Sequence, residues 1–278
     1  MNDIIQSSTE QSRRVYSARA SSWGDLFDCA YRWEGAHILG IRKPAGLRAQ
    51  LGTAIHASTA VFDKARIAGF PCSIDDSAGV FVDTLRNPER DVDYQQDDLS
   101  VSDAEVIGLK LHTRYCADLS PRFNFQSVEA LLQPMDIDCG SGMIVRLTGT
   151  MDRARVATTP AGAVIPDIKT GSRVIEDGQA KIKGRSAQLG TYQLMHERQT
   201  GELTAGAQVL ALQTSSKPQV AASQVFDAKR VMIGTDTTPG LIEHAATMFR
   251  TGLFPPNPQS MLCSQKYCAR WASCIYHE

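Results

Sequence analysis

The stretch "VIPDIKTGSR", residues 164–173, sets Asp167 two residues before Lys169 at the end of a short apolar run. An acid and a base so spaced fit either a surface ion pair closing a strand or a site that holds a divalent cation beside a reacting phosphate. The discriminating residue lies upstream, at Asp152 in "GTMDRARVA". If "TTPAG" closes a hairpin through a type I turn starting at Thr159, with Pro160 and Gly162 as its second and fourth residues, Thr158 pairs with Ala163. Counting back sets Asp152 opposite Lys169 and Ala154 opposite Asp167. Alternation then puts Asp152, Asp167 and Lys169 on one face, with opposed Cβ atoms about 5 Å apart and diagonal ones about 7–8 Å. Two carboxylates so close repel, and one takes up a proton unless a cation lies between them. Oxygen ligands with open water positions suit Mg²⁺ or Mn²⁺ better than zinc. Such an ion polarises a phosphoryl oxygen and lowers the pKa of a bound water. A neighbouring lysine orients that water or neutralises charge building on the phosphate. The chemistry implied is phosphodiester hydrolysis.

A second group of reactive side chains stands at the ends of the chain. Of the seven cysteines, Cys29 is alone near the start, Cys72, Cys116 and Cys139 are scattered, and Cys263, Cys268 and Cys274 are bunched in "CSQKYCARWASC". An odd count argues against a pure disulfide framework, and metal ligation is the better reading for the bunched set. The scattered three read as small buried apolar residues. With 278 residues and a formal net charge of −1, the chain is not generally basic, so any nucleic-acid contact must come from local patches. No apolar run reaches the roughly 18 residues of a membrane span, and "MNDIIQSSTEQSRRVYS" lacks the apolar core of a secretory signal. The expectation is a soluble, cytoplasmic protein with no membrane partner.

The elements that must position these residues follow from periodicity. Residues 1–20 read as a loose polar lead-in. The segment 21–125 reads as helical, with "SSWGDLFDCAYRWEGA" as one helix and a second from near Leu51 to a stop at Gly69. The polar stretch "RNPERDVDYQQDDLSVSD" reads as a loop into a further helix. Between 126 and 227 the period changes: "FQSVEALLQPMDI", "GMIVRLTGTMDRARVA" and "AGAVIPDI" read as three strands, then "GRSAQLGTYQLMHERQTG" as a helix and "AGAQVLALQT" as a strand. Residues 228–278 hold another helix and the cysteine-rich end. The order predicts a single α/β domain, 1–278, on a small mixed sheet.

With these motifs in view, the chain resembles the PD-(D/E)XK nuclease superfamily, in particular the RecB-like exonucleases with an iron–sulfur cluster. That group includes the AddB subunit and the CRISPR-associated nucleases of spacer acquisition. "GTAIH" (52–56) is similar to the group's helical G-x-x-x-H motif, "GTMDR" supplies Asp152, "PDIKTG" supplies Asp167 and Lys169, and "QLGTY" matches Q-x-x-x-Y through Gln188 and Tyr192. The resemblance implies a restriction-endonuclease-like core: helix, three-stranded antiparallel meander, helix and further strand. It makes His56, Asp152, Asp167 and the Ile168 carbonyl ligands of Mg²⁺ or Mn²⁺, Lys169 the residue serving the attacking water, and Gln188 and Tyr192 positioners of substrate. It also implies that Cys29, Cys263, Cys268 and Cys274 hold a 4Fe–4S cluster joining the two ends of the chain. Four thiolates suit structural zinc as well, but paired C-x₂-C knuckles are lacking.

The function expected is a metal-dependent DNA exonuclease acting at DNA ends or on single strands, in recombination, repair, phage replication or CRISPR adaptation. It would work alone or with a helicase, recombination or adaptation partner. The alternative is a non-catalytic DNA-end-binding or assembly subunit that keeps the fold. Lys181, Lys183 and Arg185, before the Gln188 helix, are candidates for phosphate contacts or a solvated loop. Trp271 reads as a shield over the cysteines. Glu129, on the first strand, could reach a second ion, but a surface glutamate at a strand edge is the preferred reading.

Overall fold

The computed structural model describes residues 13–158, 161–215 and 217–277. The chain opens with strand β1 (Arg14–Arg19), then helices α1 (Trp23–Asp28) and α2 (Ala30–His37). A short β2 (Ala45–Gly46) leads into the 22-residue α3 (Leu47–Ala68), α4 (Ile74–Arg86), β3 (Val92–Asp93) and α5 (Val101–Arg114), which runs on through a π-helical turn at Tyr115–Leu119. Next come β4 (Phe125–Leu131), β5 (Met135–Asp138), β6 (Met143–Thr148), β7 (Thr150–Thr158) and β8 (Ala161–Gly171). A small β9–β10 hairpin (Ile175–Glu176, Gln179–Ala180) precedes α6 (Ser186–Thr200), β11 (Thr204–Gln213) and β12 (Gln219–Ala222). The remainder is α7 (Arg230–Ile233), the β13–β14 hairpin (Gly234–Thr235, Thr238–Pro239), α8 (Leu241–Thr251) and the cysteine-rich tail.

Five strands form the main sheet in the order β12-β11-β8-β7-β4. The β4–β7 and β7–β8 pairs are antiparallel, β8–β11 is parallel and β11–β12 antiparallel. The expected three-stranded meander is therefore β4-β7-β8. Two of the expected strands each divide, however, because a β5–β6 hairpin is inserted between β4 and β7. That hairpin joins β1 in a separate sheet of order β1-β6-β5. Pro134, which has no N–H to donate, separates β4 from β5. Gly149 separates β6 from β7, where a side chain would meet the Tyr192 ring at 2.7 Å.

The central strands are buried on both sides, as parallel neighbours in α/β proteins are. Ile165 and Val209 face a core built with Trp23, Trp33 and Leu189, whereas Ile168 and Leu210 face a second core with Leu51, Ile55, Phe81 and Leu111. The second core explains the long segment after α3. A capping box of Ser73 and Asp76 starts α4, and Ser100 caps α5 by accepting from the Asp103 N–H. Both helices pack their apolar faces on α3 and on each other, and α5 also meets β12.

Three expectations need correction. Residues 14–19 of the supposed lead-in form β1, parallel to β6, because Ala18 is buried and Tyr16 stacks on Phe249 with ring centroids 5.2 Å apart. Residues 1–12 lie outside the described residues. The single helix expected over 21–36 is broken at Cys29, which is extended at φ −151°, ψ 96°. The β7–β8 register pairs Thr158 with Ala161 and Arg155 with Val164, two residues away from the expected Thr158–Ala163 pairing. Thr159 and Pro160 of the turn lie outside the described residues. A shift of two leaves every side chain on its expected face.

Candidate active site

Each functional side chain comes from a different element, and one helical stripe organises them. On α3, Gly52, His56, Thr59 and Asp63 follow at spacings of four, three and four, so they line one face. Gly52 lets that face approach β8: a Cβ there would lie 2.9 Å from Thr170 Oγ1. One turn on, His56 Nδ1 lies 3.5 Å from Asp152 Oδ2 on β7. Beyond the paired stretch of β7 and β8, Asp152 Oδ2 accepts a 2.7 Å hydrogen bond from the Ile168 N–H. The side chain takes a place that a ladder carbonyl would otherwise fill, which pins Asp152 against β8.

Asp167 is fully buried, and its two oxygens differ. Oδ1 accepts from Gln188 Nε2 at 3.2 Å. Oδ2 is paired with the Lys169 ammonium, 2.6 Å away, and has no other partner. Gln188 also donates to the Tyr192 hydroxyl at 3.1 Å, one helical turn further along α6. Tyr192 is itself buried, so the pair acts on Asp167 rather than reaching outward. Burial, then the Asp167 and Asp152 carboxylates, push the Tyr192 phenol up, so it stays protonated.

Glu129, read from the sequence as a strand-edge surface residue, belongs to the site. The β4–β7 register pairs Val128 with Arg153 and Ala130 with Met151, so Glu129 stands opposite Asp152. It holds φ at +51°, a left-handed conformation uncommon in a strand, just after a register shift between Phe125 and Ser127. One ligating atom from each of His56, Glu129 and Asp152 comes within 4.8 Å of the others. Counting the β4–β7 register could have found it; the alternation of β4 alone could not.

The electrostatics are those of a site awaiting positive charge. Burial pushes the Glu129 carboxyl up, and the Asp152 charge adds to it against Arg153. Burial also raises the Asp167 carboxyl, with Lys169 pulling it back and Asp152 raising it further. Like charges directly across a strand pair destabilise the fold, and a divalent cation among them would reverse the sign. The imidazole of His56 and the carboxylates of Glu129 and Asp152 fit Mg²⁺ or Mn²⁺, with Asp167, paired to Lys169, outside that 4.8 Å group.

At the other end, Cys29, Cys263, Cys268 and Cys274 line one small cavity with Tyr31, Arg32 and Trp271. The break at Cys29 that divides α1 from α2 turns its thiol towards the tail, where Sγ accepts from the Asn257 N–H at 3.4 Å. Burial pushes the Cys263 thiol up, and the other three cysteines add to the rise. Trp271 stacks on His277 at the rim. Of the scattered cysteines, Cys116 and Cys139 are buried as expected and Cys72 is half-exposed. Lys181 is paired with Glu176 at 3.1 Å, while Lys183 is exposed.

This arrangement, an antiparallel meander carrying acid and lysine under a helix that brings a histidine, defines a nuclease fold. The sequence model of the PD-(D/E)XK nuclease superfamily matches residues 20–275, and the chain belongs to that superfamily. Among solved structures it is similar to a "Putative exonuclease" from Eubacterium rectale, with a TM-score of 0.53 and 12% identity over 95% of this chain and 92% of that one. That likeness is one of fold. Curated proteins gave no match. Among the described residues, no helix is long and apolar enough to cross a membrane.

Proposed function

We propose that the protein is a Mg²⁺- or Mn²⁺-dependent DNA exonuclease of the RecB-like kind, acting at DNA ends or on single strands. The observation that carries this reading is the gathering of His56, Glu129 and Asp152 ligand atoms within 4.8 Å of one another, with the buried Asp167–Lys169 pair on the neighbouring strand. His56, Asp152 and Asp167, with Glu129 and the Ile168 carbonyl, would hold the cation. When bound, the ion would supply Lewis-acid polarisation of a phosphoryl oxygen and acidify a water.

The chain's own residues do the rest. Lys169 holds its ammonium where it can orient the attacking water and neutralise charge on the phosphate. Gln188 holds Asp167 Oδ1, and Tyr192 fixes Gln188, so the second Asp167 oxygen stays turned to the site. Lys183 and Arg185 are suited to the DNA backbone. End-labelled DNA incubated with Mn²⁺ should shorten from one end. Lys169→Ala should abolish this, with an unchanged circular-dichroism spectrum. Equal cutting by parent and variant refutes the assignment, and tight DNA binding without cleavage assigns a non-catalytic end-binding subunit instead.

The four cysteines are proposed as ligands of a 4Fe–4S cluster that joins the ends of the chain. Two features support this over zinc. The ligands come from distant parts of the chain and meet at one cavity. Among the described residues, only His56, Glu129 and Asp152 bring three such atoms within 4.8 Å of one another. Any three of the sulfurs therefore include a pair beyond 4.8 Å, wider than the roughly 3.8 Å edge expected of a zinc tetrathiolate with bonds of about 2.3 Å. Protein purified without oxygen should be brown and bleach on reduction; a colourless protein with one zinc per chain would replace the cluster.

A further inference from the structure

Arg153 follows the Asp152 ligand directly, and its fully buried side chain lies behind the cation site, in contact with residues that form it. Every arm of its guanidinium is engaged. Nε donates to Asp63 Oδ2 at 2.7 Å and Nη2 to Thr59 Oγ1 at 3.3 Å, both on α3. Nη1 donates to the Asp152 carbonyl at 2.8 Å and reaches Glu129 Oε1 at 3.5 Å. One planar group therefore touches three of the four elements that bring ligands to the cation: α3 with His56, β4 with Glu129 and β7 with Asp152. Its anchor is fixed in turn. Asp63 Oδ2 also accepts from the Tyr115 hydroxyl at 2.6 Å, and Oδ1 from Ser120 Oγ at 2.5 Å.

We propose that Arg153, anchored on Asp63, is a positioning residue that sets the spacing of His56, Glu129 and Asp152 for a divalent cation. The inference rests on the cation reading above. Glu129 shows why such a device is needed. Its carboxylate opposes Asp152, and its backbone is held in a left-handed conformation. Free of Arg153, both strain and repulsion would turn it away. The guanidinium supplies a weak counter-charge at 3.5 Å, enough to retain the carboxylate but leaving it free to take a cation. Lysine cannot replace it. A single ammonium keeps the charge, but it cannot span three elements with the directional fork that arginine provides.

The test measures Mn²⁺ binding without DNA, by calorimetry and by the Mn²⁺ paramagnetic resonance signal. It compares the parent with Arg153→Lys, the charge-neutral double variant Asp63→Asn/Arg153→Gln, and Leu85→Ala. Leu85 is a fully buried residue of α4 outside the site, and its truncation lowers stability alone. Mn²⁺ affinity should fall at least 10-fold in both Arg153 variants and stay within 2-fold of the parent in Leu85→Ala. The Mn²⁺ concentration needed for half-maximal cleavage should rise in parallel. The double variant, which leaves no unpaired buried charge, decides the matter if Arg153→Lys does not fold. Parent-like affinity in the folded Arg153 variants overturns the positioning role. A parent that binds no Mn²⁺, or binds it undiminished after Asp152→Ala, overturns the cation reading itself.

Discussion

Asp152 and Arg153 are neighbours on β7 and live in opposite electrostatic worlds. Around Arg153 every buried charge is answered: Asp63 collects donors from Arg153, Tyr115 and Ser120, and the guanidinium is filled. Around Asp152 the carboxylates face one another, two of them are pushed towards their protonated forms, and Lys169 is the counter-charge that pairs with buried Asp167. Both regions set charge in the protein interior, so burial does not distinguish them. Satisfaction does. A network with every partner in place holds a structure together, while a cluster in which carboxylates outnumber their counter-charges destabilises its own fold and is explained by what it is meant to bind.

Opposite responses to charge removal would sharpen this contrast. The largest effect is expected on the unsatisfied side. Asp167→Asn should lower cleavage by about 10³-fold or more, as loss of a preorganised electrostatic group does. Its metal-free melting temperature should stay within about 3 °C of the parent, an effect near 1 kcal/mol. A large loss of stability there would make Asp167 a scaffold residue and break the comparison.

On the satisfied side the next largest change is one of stability. Asp63→Ala leaves Arg153 buried without its partner and should cost about 3–5 kcal/mol, read by urea unfolding of the metal-free protein. A loss below about 1 kcal/mol would mean that the network is not a scaffold. Glu129→Gln should act the other way. Relief of the charge opposed to Asp152 should raise metal-free stability by about 0.5–1 kcal/mol, while Mn²⁺ affinity declines. A destabilised, tightly binding Glu129→Gln variant would show the two faces to be alike.

The smallest effect concerns a scaffold group that burial keeps neutral. His112 is buried in α5, with Nε2 2.9 Å from Ser77 Oγ and 3.2 Å from the Ile74 carbonyl, and burial lowers its pKa from the ordinary 6.5. A depressed imidazole binds fewer protons folded than unfolded, so the stability it supports is present above pH 6.5 and is lost as pH falls towards the folded value. Between pH 6.5 and pH 5 the parent should lose about 2 °C more of melting temperature than His112→Asn, measured by calorimetry. Equal slopes would remove His112 from the scaffold.

The proximity of the candidate site residues was more legible in the sequence than the strands around them. Asp152, Asp167 and Lys169 were legible because alternation has a period of two, so even a register wrong by two residues left them on one face. Gln188 and Tyr192 were legible because a spacing of four falls on one helix face. Glu129 was misjudged because its place depends on the β4–β7 pairing and a left-handed backbone, neither of which local composition encodes. The inserted β5–β6 hairpin and strand β1 were missed for a related reason: β1 pairs with a partner more than a hundred residues away in sequence.

By itself the sequence determined the cast of chemical groups, their helical and strand periodicities, and the helix stops at Gly69 and Gly201, where φ is positive. These are local matters, settled by covalent geometry and near neighbours. Only the tertiary structure decided that Glu129 meets Asp152, that Arg153 turns to Asp63, and that the helix breaks at Cys29 so that its thiol faces the tail. Such contacts join segments tens to hundreds of residues apart, and they are selected by the packing of α3 and the tail against the completed sheet rather than by any local preference of the chain.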